Sequence, residues 1–169
     1  MRLSLLLLVA LAGCRSAPKT CVAEKPVRGM PDLVRMDCRQ LDSLYRQCEV
    51  GTPPCGVMDG RAIINAGSPI TVPTSRVVHL MWQGKVIQGD TMINRVFGMR
   101  AVKAKVYMGE SWIDGKPALI LDYAETSKLF PEIRDEVREV SPGLYLGATH
   151  ERTAKGPEFK TWFTLAPKK

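Results

Sequence analysis

The run "RDEVRE" at residues 134–139 puts three carboxylates, Asp135, Glu136 and Glu139, in one short stretch with Arg134 and Arg138. Two carboxylates facing one cavity can share the work of general acid and general base. At helical spacing the same run instead pairs its acids with the two arginines on a solvated face. Ser111, Asp114, His79 and His150 supply the residue types of a nucleophilic triad, but Ser111 does not sit in a nucleophile elbow. His79 lies in an apolar run and reads as a core or interface histidine, and His150 reads as an exposed strand end. Two isolated histidines without metal-ligand spacing give no metal site, and no phosphate loop or dinucleotide fingerprint occurs. No metal and no cofactor is therefore expected, and a catalytic residue is unknown beyond Asp135, Glu136 and Glu139.

Cysteine carries the second kind of chemistry. Five cysteines occur, at positions 14, 21, 38, 48 and 55, and none follows in the rest of the 169 residues. Arg2, the apolar run Leu3 to Leu11 and the small pair Ala12–Gly13 have the layout of a secretory signal, residues 1–13. That run is about half of what a membrane-crossing helix needs. "LAGC" at 11–14 resembles the bacterial lipoprotein signal (the lipobox), which implies acylation of Cys14, palmitate included, and a lipid anchor in a membrane. Arg15 rather than Asp follows the cysteine, which by analogy with enterobacterial sorting implies the outer membrane of a bacterial cell envelope. With Cys14 acylated, Cys21, Cys38, Cys48 and Cys55 remain as an even set for two disulfides in an oxidising compartment. A continuous helix over 32–48 would hold Cys38 and Cys48 about 15 Å apart, beyond the roughly 7 Å that a disulfide tolerates between alpha carbons. Of the two remaining schemes, Cys21–Cys38 with Cys48–Cys55 is preferred, because "CEVGTPPC" can turn back on itself.

These groups need elements to position them. Residues 14–30 are polar, carry prolines and read as the lipidated N-terminus and a tether. Residues 31–58 read as a helical, disulfide-bonded cap, with Leu33, Asp37, Leu41, Leu44 and Tyr45 near helical spacing. Residues 59–169 read as a β domain. In "RAVKAKVYM" Val102, Ala104, Val106 and Met108 share one face, and Lys103, Lys105 and Tyr107 the other. "QGD" (88–90), "DG" (114–115) and "RTAKGP" (152–157) mark hairpins. The whole is mainly β: six or seven antiparallel strands in a meander that forms a small barrel or curled sheet. "GVMDGRAIINAG" and "SPITVP" look extended, "TSRVVHLMWQ" (74–83) looks like a short helix, and a further helix is expected near 131–136, with the rest of 126–140 open between helix and strand.

Several motifs together resemble an uncharacterised bacterial protein family: "WQGKV" (82–86), "INRVFG" (93–98), "AKVYMGESWIDGKPALILDY" (104–123) and "IRDEVREVSPGLYLG" (133–147). The resemblance spans about 82–147 and the terminal strand, leaves the cysteine-rich cap outside, and carries no activity or site residues with it. The tryptophan-then-Gly-Lys opening and the meander are also similar to lipocalin-like (calycin) barrels, a likeness of architecture alone.

A barrel of about eight strands leaves room for side chains or one small ligand. The expected function is thus a lipid-anchored envelope protein that binds a hydrophobic or amphipathic ligand. The alternatives are a structural or partner-binding envelope protein without a ligand, and a carboxylate-dependent enzyme. Candidate pocket residues are Val102, Ala104 and Val106 on the apolar face, and Trp82 and Trp112 at the mouth. Asp122 and Tyr123 after the apolar "ALIL", and Tyr145, complete the set. Ala118 and Ala148, and with them Leu144 and Leu146, are expected to face inward as well. The net charge of +7 is scattered, which suits an anionic lipid surface and excludes a nucleic-acid stripe. Protein partners are unknown.

Overall fold

The computed structural model describes residues 27–169. Cys14 and Cys21, and with them the signal and most of the tether, lie outside the described residues. The elements run α1 (Met30–Val34), α2 (Cys38–Gln47), β1 (Gly56–Ile63), α3 (Thr71–Met81), β2 (Trp82–Gln88), β3 (Thr91–Val96), β4 (Met99–Glu110), β5 (Pro117–Asp122), β6 (Ile133–Ser141), β7 (Leu144–Thr153) and β8 (Gly156–Pro167). Each strand pairs antiparallel with the next, and β1 pairs with β8, so the sheet closes into an eight-stranded barrel without a free edge. The mainly β meander read from the sequence is this barrel, with eight strands against the six or seven counted. Its first strand begins at Gly56, ahead of residue 59.

One strand that the count does not clearly include is β6. Ile133, Val137 and Val140 mimic helical spacing, yet the segment is extended and pairs with both β5 and β7, so the helix expected near 131–136 is absent. Both faces of β6 are buried: Asp135 and Val137 point into the barrel, and Arg134, Glu136 and Arg138 point out beneath other chain segments. Alternation between polar and apolar therefore fails as a signal. The "SPITVP" stretch is likewise not extended. Thr71 starts α3, its hydroxyl donating to Asn65 O at 2.5 Å, and Pro73 falls in the first turn, where no helical N–H is needed. The turn around Asp114–Gly115 is longer than a two-residue hairpin, since the ladder ends at Glu110 and Pro117.

The cap is two helices rather than one. Asp37 breaks the run by capping α2: its carboxylate accepts from Gln40 N at 2.8 Å, and its own N–H donates to the Gln40 side chain at 3.0 Å. Leu41, Leu44 and Tyr45 then face one way and join Leu33, Ile63, Leu144, Leu146, Ala148 and Trp162 in a cluster on the outside of the barrel. Only β1, β6, β7 and β8 contribute strand residues to that cluster, whereas the second cluster draws on all eight strands and is the barrel interior. Leu144, Leu146 and Ala148 therefore face outward under the cap, not inward as expected. Tyr145 and Gly147 take the inward positions, and a Cβ on Gly147 would collide with the Phe163 ring at 2.2 Å. Ala118 also faces outward, because its neighbour Leu119 points in.

The expected cysteine pairing is overturned. Cys38 and Cys55 are free and exposed, so neither Cys21–Cys38 nor Cys48–Cys55 exists. Cys48 is disulfide-bonded. The reason lies in the path of "CEVGTPPC". Instead of turning back, residues 49–52 cross one end of the barrel. Glu139 N bonds to Glu49 O and Val50 O, Thr52 N donates to the Glu139 carboxylate at 2.7 Å, and Tyr145 OH donates to Thr52 O at 2.9 Å. Val50 packs on the interior cluster. This end of the barrel is closed.

Candidate ligand-binding site

The opposite end is open. Strands β2, β4 and β6 start there and β3 and β5 finish there, around a cavity of about 370 Å³. Val96, Val102, Phe130, Ile133, Ala62 and Phe163 give it apolar walls, and Trp82 forms one side. Trp82 is seated by the glycine of "WQGKV". Gly84 has φ +115°, and a Cβ there would lie 2.3 Å from Met58 O. This close approach lets the β2 bulge between Trp82 and Gly84 lay the indole across Gly60. Its edge meets Phe163 with centroids 5.9 Å apart.

The floor is polar. Lys85 is 2% exposed, and its ammonium donates three hydrogen bonds of 2.9 Å, to Asn94 Oδ1, Tyr123 OH and Asp135 Oδ2. The same ammonium lies within 5.6 Å of the ring centres of Trp82, Tyr123 and Phe163, a cation–π setting. Asp135 also accepts Tyr123 OH at 3.0 Å and Thr149 OH at 2.7 Å. Asn94 accepts Trp82 Nε1–H at 2.9 Å and donates to Tyr123 OH and Val102 O. Burial alone would push Lys85 down, but Asp135 and Tyr123 outweigh it and hold the lysine above its usual value. Burial and Asp135 push Tyr123 up to about 12. Lys85 is therefore a cation at neutral pH, bonded to the Asp135 carboxylate. The lysine has no free lone pair for nucleophilic attack and no free donor for a ligand.

Of the sequence candidates, Trp82, Val102 and Tyr123 line this cavity. Ala104 and Val106 lie in the packed interior, and Tyr145 is at the closed end. Asp122 and Trp112 are on the outer surface. Against the opposing effect of burial, the carboxyl of Asp122 is held below the usual range by the N–H of Ala124 at 3.0 Å, Tyr107 OH at 2.8 Å and Arg152 Nη2 at 2.7 Å, all of which donate to it. Met108, expected beside Ala104 and Val106, is exposed. Lys85, Asn94, Thr149 and Phe163 were not anticipated; their one sequence signal is the charged residue inside "WQGKV".

The three acids of "RDEVRE" do not meet. Asp135 points into the barrel, Glu139 caps its closed end, and Glu136 is buried outside. Glu136 accepts from Ser111 OH, from Trp112 N at 2.7 Å, from Arg134 Nη1 at 2.5 Å and from Tyr45 OH at 3.4 Å. His150 is buried rather than exposed. Its Nδ1 is 3.8 Å from Glu136, and its ring stands edge-on between Trp112 and Phe159. Burial, helped by Arg134, lowers its pKa. Ser111 and His150 thus flank Glu136, while Asp114 pairs with Arg138, and His79 on α3 bonds to Gly60 O. Among the described residues no group of three or more His, Cys, Asp or Glu is placed to hold a metal ion.

What these features define is a closed eight-stranded antiparallel barrel with one open, mostly apolar end. No protein-family model matches the chain, and no curated protein does. Among solved structures the chain is similar to a protein from Thermomonospora curvata, with a TM-score of 0.52 and 17% identity over 80% of this chain and 90% of that one. At that identity the likeness extends to the fold alone.

Proposed function

We propose that this is a lipid-anchored envelope protein whose barrel takes a neutral, mainly apolar ligand through its open end. The observation that carries the ligand reading is the cavity of about 370 Å³ with apolar walls over a polar floor whose hydrogen bonds are internally satisfied. A carboxylate head would approach Asp135 with no free donor to receive it, and dislodging Lys85 would leave a buried charge unpaired. A neutral chain or ring loses nothing at that floor and gains by leaving water.

Trp82 is the reporter, because it lines the cavity whereas Trp112 and Trp162 do not. Titrating long-chain alcohols into the protein should change its tryptophan emission saturably, and the matching fatty acids should bind more weakly at neutral pH. Ala104→Trp would overpack the interior, since Ala104 is fully buried there. Ala62→Trp is the better block: Ala62 faces the cavity and is only partly buried. It should abolish the saturable response while the far-UV spectrum is kept. A flat titration of a folded protein with both ligand classes would favour the scaffold reading instead.

The anchor rests on "LAGC" and the apolar run before it. Mass spectrometry of the mature N-terminus should find Cys14 as its first residue, carrying acyl chains. An unmodified start, or a cut elsewhere, removes the anchor from this proposal.

A further inference from the structure

We infer that the open rim of the barrel is a membrane-docking surface that seats on an anionic bilayer. Three separate elements end at this rim, and each ends in exposed apolar side chains. On α3 these are Val77, Leu80 and Met81, at helical spacing and facing away from β1 and β2. The turn between β3 and β4 offers Phe97 and Met99, and the loop between β5 and β6 offers Leu129 and Phe130. Leu80 is 72% exposed, Phe97 65% and Leu129 77%. A single exposed leucine is ordinary, but a ring of them at one end of one molecule is not.

The three tips are held together. Phe97 N donates to Met81 O at 2.7 Å, which joins the β3–β4 turn to the end of α3. Thr126 OH donates to Lys103 O at 2.7 Å, which joins the β5–β6 loop to β4. Phe130 also lines the cavity, so the apolar ring is continuous with the cavity mouth. A bilayer seated there would face the entrance directly.

Charge selects the occupant. The stretches 76–81 and 97–100 contain the exposed Arg76 and Arg100 and no Asp or Glu, and the β5–β6 loop adds exposed Lys128, together with Glu132 and with Glu125, which pairs with Lys105. Exposed Leu, Phe and Met flanked by cations suit a lipid interface, where the apolar groups enter the acyl boundary and the cations meet anionic headgroups. The surface is present whether or not the barrel holds a ligand, so it does not depend on the function proposed above.

The test uses the full chain with Cys14→Ala, so that no acyl chain carries it to the lipid. The probes are phosphatidylcholine vesicles with and without phosphatidylglycerol. With the anionic lipid, hydrogen exchange should slow at 97–100 and 127–130 and stay unchanged at Gly143 and Leu144, near the closed end. Phe97→Ser with Leu129→Ser should weaken that partitioning by roughly tenfold or more, and vesicles without phosphatidylglycerol should bind less. Both side chains are exposed, so the fold should survive. If that double variant does not fold, Leu80→Ser on α3 makes the same comparison. The inference is overturned if vesicles leave the rim unprotected, or protect only residues before 27. It is equally overturned if the folded rim variant binds as well as its parent. Rim protection that appears without vesicles and grows with protein concentration would assign the surface to a second copy of the chain and overturn it too.

Discussion

Asp135→Ala should lower the unfolding free energy by about 3–5 kcal/mol, because it leaves the Lys85 ammonium buried without its counter-charge. Lys85 is 2% exposed and ringed by Trp82, Tyr123 and Phe163. Asn94 and Tyr123 still accept from it, but neither carries a full charge. The signature that separates this mechanism from simple cavity formation is the pH dependence. In the native protein Lys85 titrates above its usual value, so its contribution is complete at neutral pH and is lost only as pH rises beyond about 10.4. In the variant, burial acts unopposed by the carboxylate and depresses the lysine. The unfolded chain then binds the extra proton, and stability should rise with pH from neutrality up to about 10. Lys85→Met combined with Asp135→Leu should recover most of the loss, since it removes both charges and keeps an apolar filling. Denaturant midpoints of the three proteins at neutral and alkaline pH make the measurement. Equal losses in Asp135→Ala and the double variant, with no opposite slope, would show that packing rather than charge holds the floor.

Lysine 85 also shows why the site was less legible than the barrel. A lysine on a strand ordinarily marks the wet face, as Lys103 and Lys105 do on β4, and nothing local distinguishes Lys85 from them. Its partners come from β3, the residue just after β5, and β6, and only closure of the sheet brings them together. The hairpins were legible because their information is local: "QGD" turns β2 into β3, and the alternation of Ala104 and Val106 with Lys103 and Lys105 survives in burial. β6 and β7 were misread for a shared reason. The cap and the 111–116 loop bury their outer faces, so these strands have no wet side. Without one, "RDEVRE" keeps only the helix-like spacing of its apolar residues, and Leu144, Leu146 and Ala148 look like an inward set. The cysteines fail differently. Spacing excludes Cys38–Cys48, but the path of residues 49–52 across the barrel end is a tertiary fact.

The second large effect belongs to that hidden outer face. Arg138 is fully buried, and its guanidinium forks onto Asp114, with Nη1 to Oδ2 at 2.8 Å and Nη2 to Oδ1 at 2.7 Å. The remaining donors reach Tyr45 O at 3.0 Å, Lys116 O at 3.1 Å and Pro117 O at 3.1 Å, and the plane lies 4.4 Å from the Tyr45 ring centre. One side chain thus ties β6 to α2, to the 111–116 loop and to the start of β5. The pairing favours the ionised form of Asp114, holding its carboxyl below the usual range. Arg138→Met keeps the apolar stem but strands an acid and three carbonyls, so a loss of about 3–5 kcal/mol is expected. Arg138→Lys should recover little, because an ammonium cannot reproduce a bidentate fork and three further donors in one plane. The damage should be local. Hydrogen exchange should quicken first in α2 and residues 111–116, and the emission of Trp112, which stacks on Arg134 at 4.1 Å, should shift. The Lys85–Asp135 floor lies on the other side of β6 and shares no partner with Arg138. The Trp82 response to ligand should therefore persist in whatever fraction of Arg138→Met remains folded. If Arg138→Met instead abolished that response in folded protein, the outer ion network would be coupled to the cavity, and the division of β6 into a structural face and a ligand-facing face would fail.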